Sequence, residues 1–289
     1  MFDAITEMLS YAFMTRALAA GALVALCAAL LGTGLALKHR SMIGDGLSHV
    51  GFGALAMSAA LNAAPLAVCV PVVVLASILL LRLGENSKIK GDSAIAMISA
   101  GALATGVMVM SLTGGMNADL GSYLFGSILA MSKSDTALAV ALASVVITLF
   151  TLFYNKIFAV AFDEDFARAA GVRVGFYNTL TAVLTAITIV VGMRMMGALL
   201  ISSMLVFPPL TAMRLCKNFR SVTICSAAIS LACFFAGISF SYAKATPTGA
   251  SIVLANSAAF LLFCAARFLR TRIRATNAKR QANKLRTGE

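Results

Sequence analysis

The chain has 289 residues, 60% of them hydrophobic and only 12% charged, with a net charge of +12 and a mean hydropathy of +0.93. Soluble domains carry about a quarter charged residues, so this balance excludes an ordinary soluble protein and points to one polytopic membrane domain. The positive charge is no nucleic-acid footprint: eight Lys or Arg fall between Arg267 and Glu289, directly after an apolar run, as is usual for the cytoplasmic flank of a span.

The opening stretch, MFDAITEMLSYAFMTR, carries early acids and no basic leader. It reads as an amphipathic lead-in, not as a cleaved signal peptide. Apolar runs follow at about 17–37, 44–61, 65–81, 93–112, 136–153, 179–193, 197–213, 222–242 and 249–268. Basic residues cluster at 38–40, 82–90, 156–173, 214–220 and in the tail, which assigns those segments to the cytoplasm. The segments at 62–64, 114–119 and 244–248 then lie outside, giving nine passes with the N-terminus outside. If the two short pieces flanking Arg194 do not each cross, the count falls. The expectation is an all-α, polytopic membrane helix bundle with eight or nine transmembrane helices. A β-barrel is excluded, because barrel strands alternate apolar and polar residues. One transmembrane domain covers 1–289, with its core at about 10–268 and a basic cytoplasmic tail at 269–289.

Two segments look irregular. Pro208-Pro209 is expected to interrupt its span, and 114–132 is amphipathic and too broken for a clean span. Irregular backbone at membrane depth needs protein or water around it, a transporter-like feature; the alternative, which Pro and Gly alone favour, is a kinked structural helix. The six cysteines lie scattered, mostly in apolar runs, without a C-x-x-C, and read as small buried side chains. Met193, Met195 and Met196 read as packing residues.

Asp45 and His49 stand four residues apart in SMIGDGLSHVGFGALAMS and therefore share a helix face. Ionisable groups inside the hydrocarbon line a pathway or pair with one another. Carboxylate plus imidazole suits zinc, manganese or ferrous iron, and two ligands make a loose site of the kind permeation needs. The structural alternative is open: Asp45 as a helix N-cap near the interface, and His49 hydrogen-bonded in the core.

The segment FDEDFARAAGVRVG, 162–175, holds Asp163, Glu164 and Asp165. It predicts a short helix with acids in its first turn and Gly171 closing it. It is a candidate docking knob; the alternative is a solvated connector. No phosphate-cradling G-x-x-x-x-G-K-[ST], H-E-x-x-H or G-x-S-x-G occurs, and there are only two histidines. The residues offer almost no support for hydrolytic or redox chemistry in this chain.

Five segments in order carry a family resemblance: KHRSMIGDGLSHVGFGALA (38–56), SYLFGSIL (122–129), FDEDFARAAGV (162–172), MGALLISSMLVFPPLTA (196–212) and PTGASIVL (247–254). Together the chain resembles ABC-3 family permeases, the membrane subunits of bacterial zinc- and manganese-type metal importers. The resemblance implies that the chain is not itself an enzyme. It also implies a separate ABC ATPase on the cytoplasmic face and an extracellular metal-binding lipoprotein or periplasmic solute-binding protein. A permease homodimer in the cell membrane, in contact with lipid, follows too. Asp45 and His49 become candidate metal contacts on the translocation path. Phe162, Asp163, Glu164, Asp165, Phe166, Ala167, Arg168, Ala170 and Gly171 become candidate ATPase-coupling residues. No permanent cofactor is expected; the cargo is Zn2+ first and Mn2+ next. The competing readings are a stand-alone secondary transporter or channel, with the Asp–His pair as an ion relay, and a membrane anchor without transport.

Overall fold

The structure is a computed structural model, and it describes residues 11–86, 91–113, 126 and 132–287. The described residues form helices joined by short turns, with no strand among them. Among the described residues nine long helices form the bundle: α1 (Ala12–Leu37), α2 (Met42–Ala60), α3 (Pro65–Asn86), α4 (Gly91–Leu112) and α5 (Lys133–Leu152) precede two short ones, α6 (Tyr154–Phe162) and α7 (Glu164–Ala169). α8 (Val174–Met196), α9 (Ala198–Leu215), α10 (Phe219–Lys244) and α11 (Thr248–Thr287) complete it. Eight of the nine are long and apolar enough to cross a membrane, and α2 is the exception. The expected all-α bundle of eight or nine spans is therefore found. Of the expected N-terminal lead-in, residues 12–16 belong to α1, while residues 1–10 and most of 114–132 lie outside the described residues.

The lower hydropathy of α2 has a packing cause. Thirteen of its 19 residues are buried. Its glycines meet three different neighbours: Gly44 lies against Leu205 of α9, Gly51 against Met193 of α8, and Gly53 against the Ala102 carbonyl of α4. A helix sheathed by other helices needs small residues for close approach, not bulky ones for lipid. α2 is thus an inner helix over most of its length, while the Asp45 side chain stays half exposed.

Arg194 does not end a short half-span. α8 runs on through it to Met196, and α9 starts one residue later. The junction is Gly197, at φ 88° and ψ 155°, a region that only glycine occupies without strain. Pro208 and Pro209, expected to break the following span, instead lie inside α9, which runs unbroken from Ala198 to Leu215. Each proline removes an N–H, so the carbonyls of Met204 and Leu205 lose their usual intrahelical donors. Close packing against α1 sustains the helix there: the Leu205 carbonyl oxygen lies directly over Gly32, where Cα–H groups of glycine make weak contacts to such oxygens.

The core is continuous through all nine long helices, with Met193, Met195 and Met196 buried inside it. These methionines pack, as expected, and form no exposed gate. All six cysteines are free.

A candidate metal pair and a candidate coupling surface

α2 begins just after the turn His39–Ser41, with Ser41 at its N-cap position and Asp45 in its first turn. Asp45 is therefore not the N-cap, and Ser41 makes no side-chain cap bond. Asp45 and His49 do face each other. His49 Nε2 stands 3.6 Å from Asp45 Oδ2, with the His49 side chain 27% exposed and that of Asp45 50% exposed. This spacing is longer than a hydrogen bond, so the pair is adjacent without being locked. The other ring nitrogen, His49 Nδ1, is buried and has no hydrogen-bond partner among the described residues. A buried nitrogen without a partner is costly unless something binds there. Among the described residues no cluster of three or more His, Cys, Asp or Glu could hold a metal. One chain thus offers two protein ligands, the loose arrangement read from the spacing.

The 162–175 segment folds as its composition predicts. Asp163 caps α7, its Oδ1 accepting from the backbone N–H groups of Asp165 and Phe166 at 3.0 and 2.9 Å. Glu164 and Asp165 fill the first turn, where negative charge complements the helix dipole. The far end closes with Gly171 at φ 78°, and the N–H groups of Gly171 and Val172 bond the carbonyls of Arg168 and Ala167. That pair of bonds is a Schellman closure. Beneath it, Ala167 packs with Val160 and Val174 in a small core of its own. α6 is pinned by aromatic contacts, with the rings of Phe158 and Phe219 at 4.8 Å and those of Tyr154 and Phe219 at 5.4 Å. The outer face carries Phe162 and Phe166, 75% and 69% exposed. Arg168 and Asp165 make a loose ion pair on the same surface, at 3.8 Å.

Sequence reasoning missed the tie between this segment and the bundle. Lys38 Nζ donates to Glu164 Oε1 at 2.6 Å and to Asn178 Oδ1, while Asn178 Nδ2 donates to Glu164 Oε1 at 3.2 Å. The three residues come from the end of α1, the start of α7 and the second turn of α8. Burial acts to raise the Glu164 carboxyl. The hydrogen bond and charge of Lys38, the Asn178 amide and the Arg40 charge outweigh it and hold the group below the usual carboxylate value. A second tie joins the opposite end of the bundle: Arg194 Nη2 lies 3.3 Å from Asp135 Oδ1. The two ties fit one topology. They bring the end of α1 and the start of α8 together at one end, and the start of α5 and the end of α8 together at the other.

Comparisons with known proteins extend these observations. The model of the ABC 3 transport family matches residues 10–267. A manganese transport system membrane protein, MntC of Halalkalibacterium halodurans, is 30% identical over 257 residues, covering 89% of this chain and 88% of the relative. A probable iron transport system membrane protein of Haemophilus influenzae is 31% identical over 273 residues, covering 94% of this chain and 100% of the relative. Among solved structures, PsaBC from Streptococcus pneumoniae in complex with Fab superposes with a TM-score of 0.80 at 28% identity, covering 90% of this chain and 94% of that one.

Proposed function

Because the chain belongs to the ABC 3 transport family, a family of membrane transport proteins, we propose that it is the permease subunit of an ATP-driven importer of divalent metal ions. Manganese now stands ahead of zinc as the cargo, because relatives of similar length carry manganese in their names, and carboxylate plus imidazole accepts either ion. The observation that carries the reading is the Asp45–His49 pair on a mostly buried helix, with His49 Nδ1 buried and without a hydrogen-bond partner among the described residues. Two ligands bind a metal only transiently, leaving the rest of its shell to water or to a second copy of the chain. That suits an ion that must leave again.

The permease domain holds the spans, and the basic tail at 269–289 lies in the cytoplasm of a cell-membrane protein. ATP hydrolysis belongs to a separate ATPase. It docks on the face presenting Phe162 and Phe166, where two exposed aromatics, one ending α6 and one on the capped α7, offer an anchor for a partner pocket. An extracellular binding protein delivers the ion, and two copies of the chain form the pathway.

The test is metal uptake by proteoliposomes holding the permease with its ATPase and binding protein, with Mn2+ and Zn2+ in parallel. Wild type is expected to take up manganese only with ATP, and Asp45→Ala and His49→Ala are each expected to lose that uptake while still assembling with the ATPase. Uptake that persists without ATP would replace the importer by a secondary transporter. Full uptake in both variants would remove the pair from the path.

A further inference from the structure

α7 has few ways to hold the membrane bundle. It is one and a half turns long, its outer face is exposed, and its single buried residue is Ala167. What ties its start to the spans is the triangle of Lys38, Glu164 and Asn178. In this triangle each of the three side chains bonds the other two. Asn178 is 5% exposed, and the Lys38 and Glu164 side chains are 15% and 29% exposed. Lys38 is also the residue that ends α1. From there the chain makes one tight turn, with His39 at φ 54°, and enters α2. Asp45 follows in the first turn of α2 and His49 one turn later. A displacement of Lys38 is therefore passed along a short, hydrogen-bonded path to the helix that carries the candidate metal pair. Apolar contacts alone would hold α7 in place with no preferred register, whereas a mutually bonded polar set fixes one geometry.

We propose that Lys38, Glu164 and Asn178 are positioning residues forming a transmission lock, which carries ATPase-driven movement of α7 to the α1–α2 turn and so to the Asp45–His49 helix. The proposal rests on the importer reading above. It assigns Glu164 a role different from that of its neighbours. Phe162 and Phe166 meet the ATPase, and Glu164 faces inward and connects.

The experiment measures manganese taken up per ATP hydrolysed, in the reconstituted complex, for wild type, Lys38→Met, Glu164→Gln, the double variant and Lys38→Arg. Loss of the lock is expected to lower the ratio at least about fivefold in each single variant, the low end of usual coupling between sites. The double variant falls no further than the worse single, since both remove one interaction. Lys38→Arg retains most of the ratio, because its planar fork reaches both Glu164 and Asn178 with the same charge. A merely structural role would lower uptake and hydrolysis together and leave the ratio at the wild-type value, which overturns the lock. Independent, additive losses in the double variant overturn it too. Absence of ATP-dependent uptake in wild type overturns the importer reading itself, and the lock with it.

Discussion

Two glycines two residues apart on α1 respond oppositely to the same substitution. At Gly32, an added Cβ would lie 2.1 Å from the Leu205 carbonyl oxygen and 3.1 Å from Pro209 Cγ. The oxygen belongs to backbone, so relief requires α1 and α9 to separate by about 1 Å, and overpacking of that kind costs about 1–3 kcal/mol. Sideways relief is blocked, because the proline ring occupies the flank. Leu205 also abuts Gly44, so the displacement presses on α2 one residue before Asp45. At Gly34, the added methyl meets nothing within 4 Å; the residue borders a cavity of about 40 Å3. There the change removes backbone freedom from the unfolded chain and improves helix propensity, a gain of about 0.5–1 kcal/mol. Thermal unfolding of the purified protein in one detergent reads both. At about 2–4 °C per kcal/mol for a chain approaching this size, Gly32→Ala falls several degrees below wild type and Gly34→Ala rises by a few. Equal shifts of the same sign in the two variants would refute the assignment of α1–α9 contact to Gly32.

The remaining predictions concern the two ion pairs. Glu164 is held below its ordinary value of 4.5 in the folded chain, so its ionised form contributes stability above that value and loses it as the pH falls through the depressed one. Wild type is therefore more stable than Glu164→Gln at about pH 7, and the gap narrows below pH 4.5 in acid-unfolding curves; a gap independent of pH removes the charge from the interaction. At the other end, Asp135 divides its oxygens. Oδ2 accepts from Ser132 in a capping box, while Oδ1 faces Arg194 at 3.3 Å without hydrogen-bond geometry. A double-mutant cycle of Arg194→Met and Asp135→Asn is expected to give a coupling of about 0.5–1 kcal/mol that shrinks in high salt. Strict additivity at low salt denies the pair any energetic role.

The limits of sequence reading follow from which interactions are local. The spans were legible because a membrane demands about twenty apolar residues at a time, and α7 was legible because its cap, acids and closing glycine sit within nine residues. Asp45 and His49 were legible as a pair because one helical turn joins them. The interruption expected at Pro208-Pro209 is absent from α9 for a related reason. Pro208-Pro209 is a local breaker signal, but the compensation comes from Gly32, far away in sequence. The lock was invisible for the same cause: Lys38 lies 126 residues from Glu164 and 140 from Asn178, and nothing near any of them in sequence announces the others. The basic run Lys38-His39-Arg40 carried a topology signal strong enough to account for Lys38 completely, so its second role left no residue unexplained. α2 shows the converse. Its weak hydropathy marks it as the helix least suited to lipid, and that deficit is itself the sign of an inner position, since a span poor in bulky apolar residues persists only where other helices cover it. The helix that reads worst as a membrane span is also the one that carries Asp45 and His49.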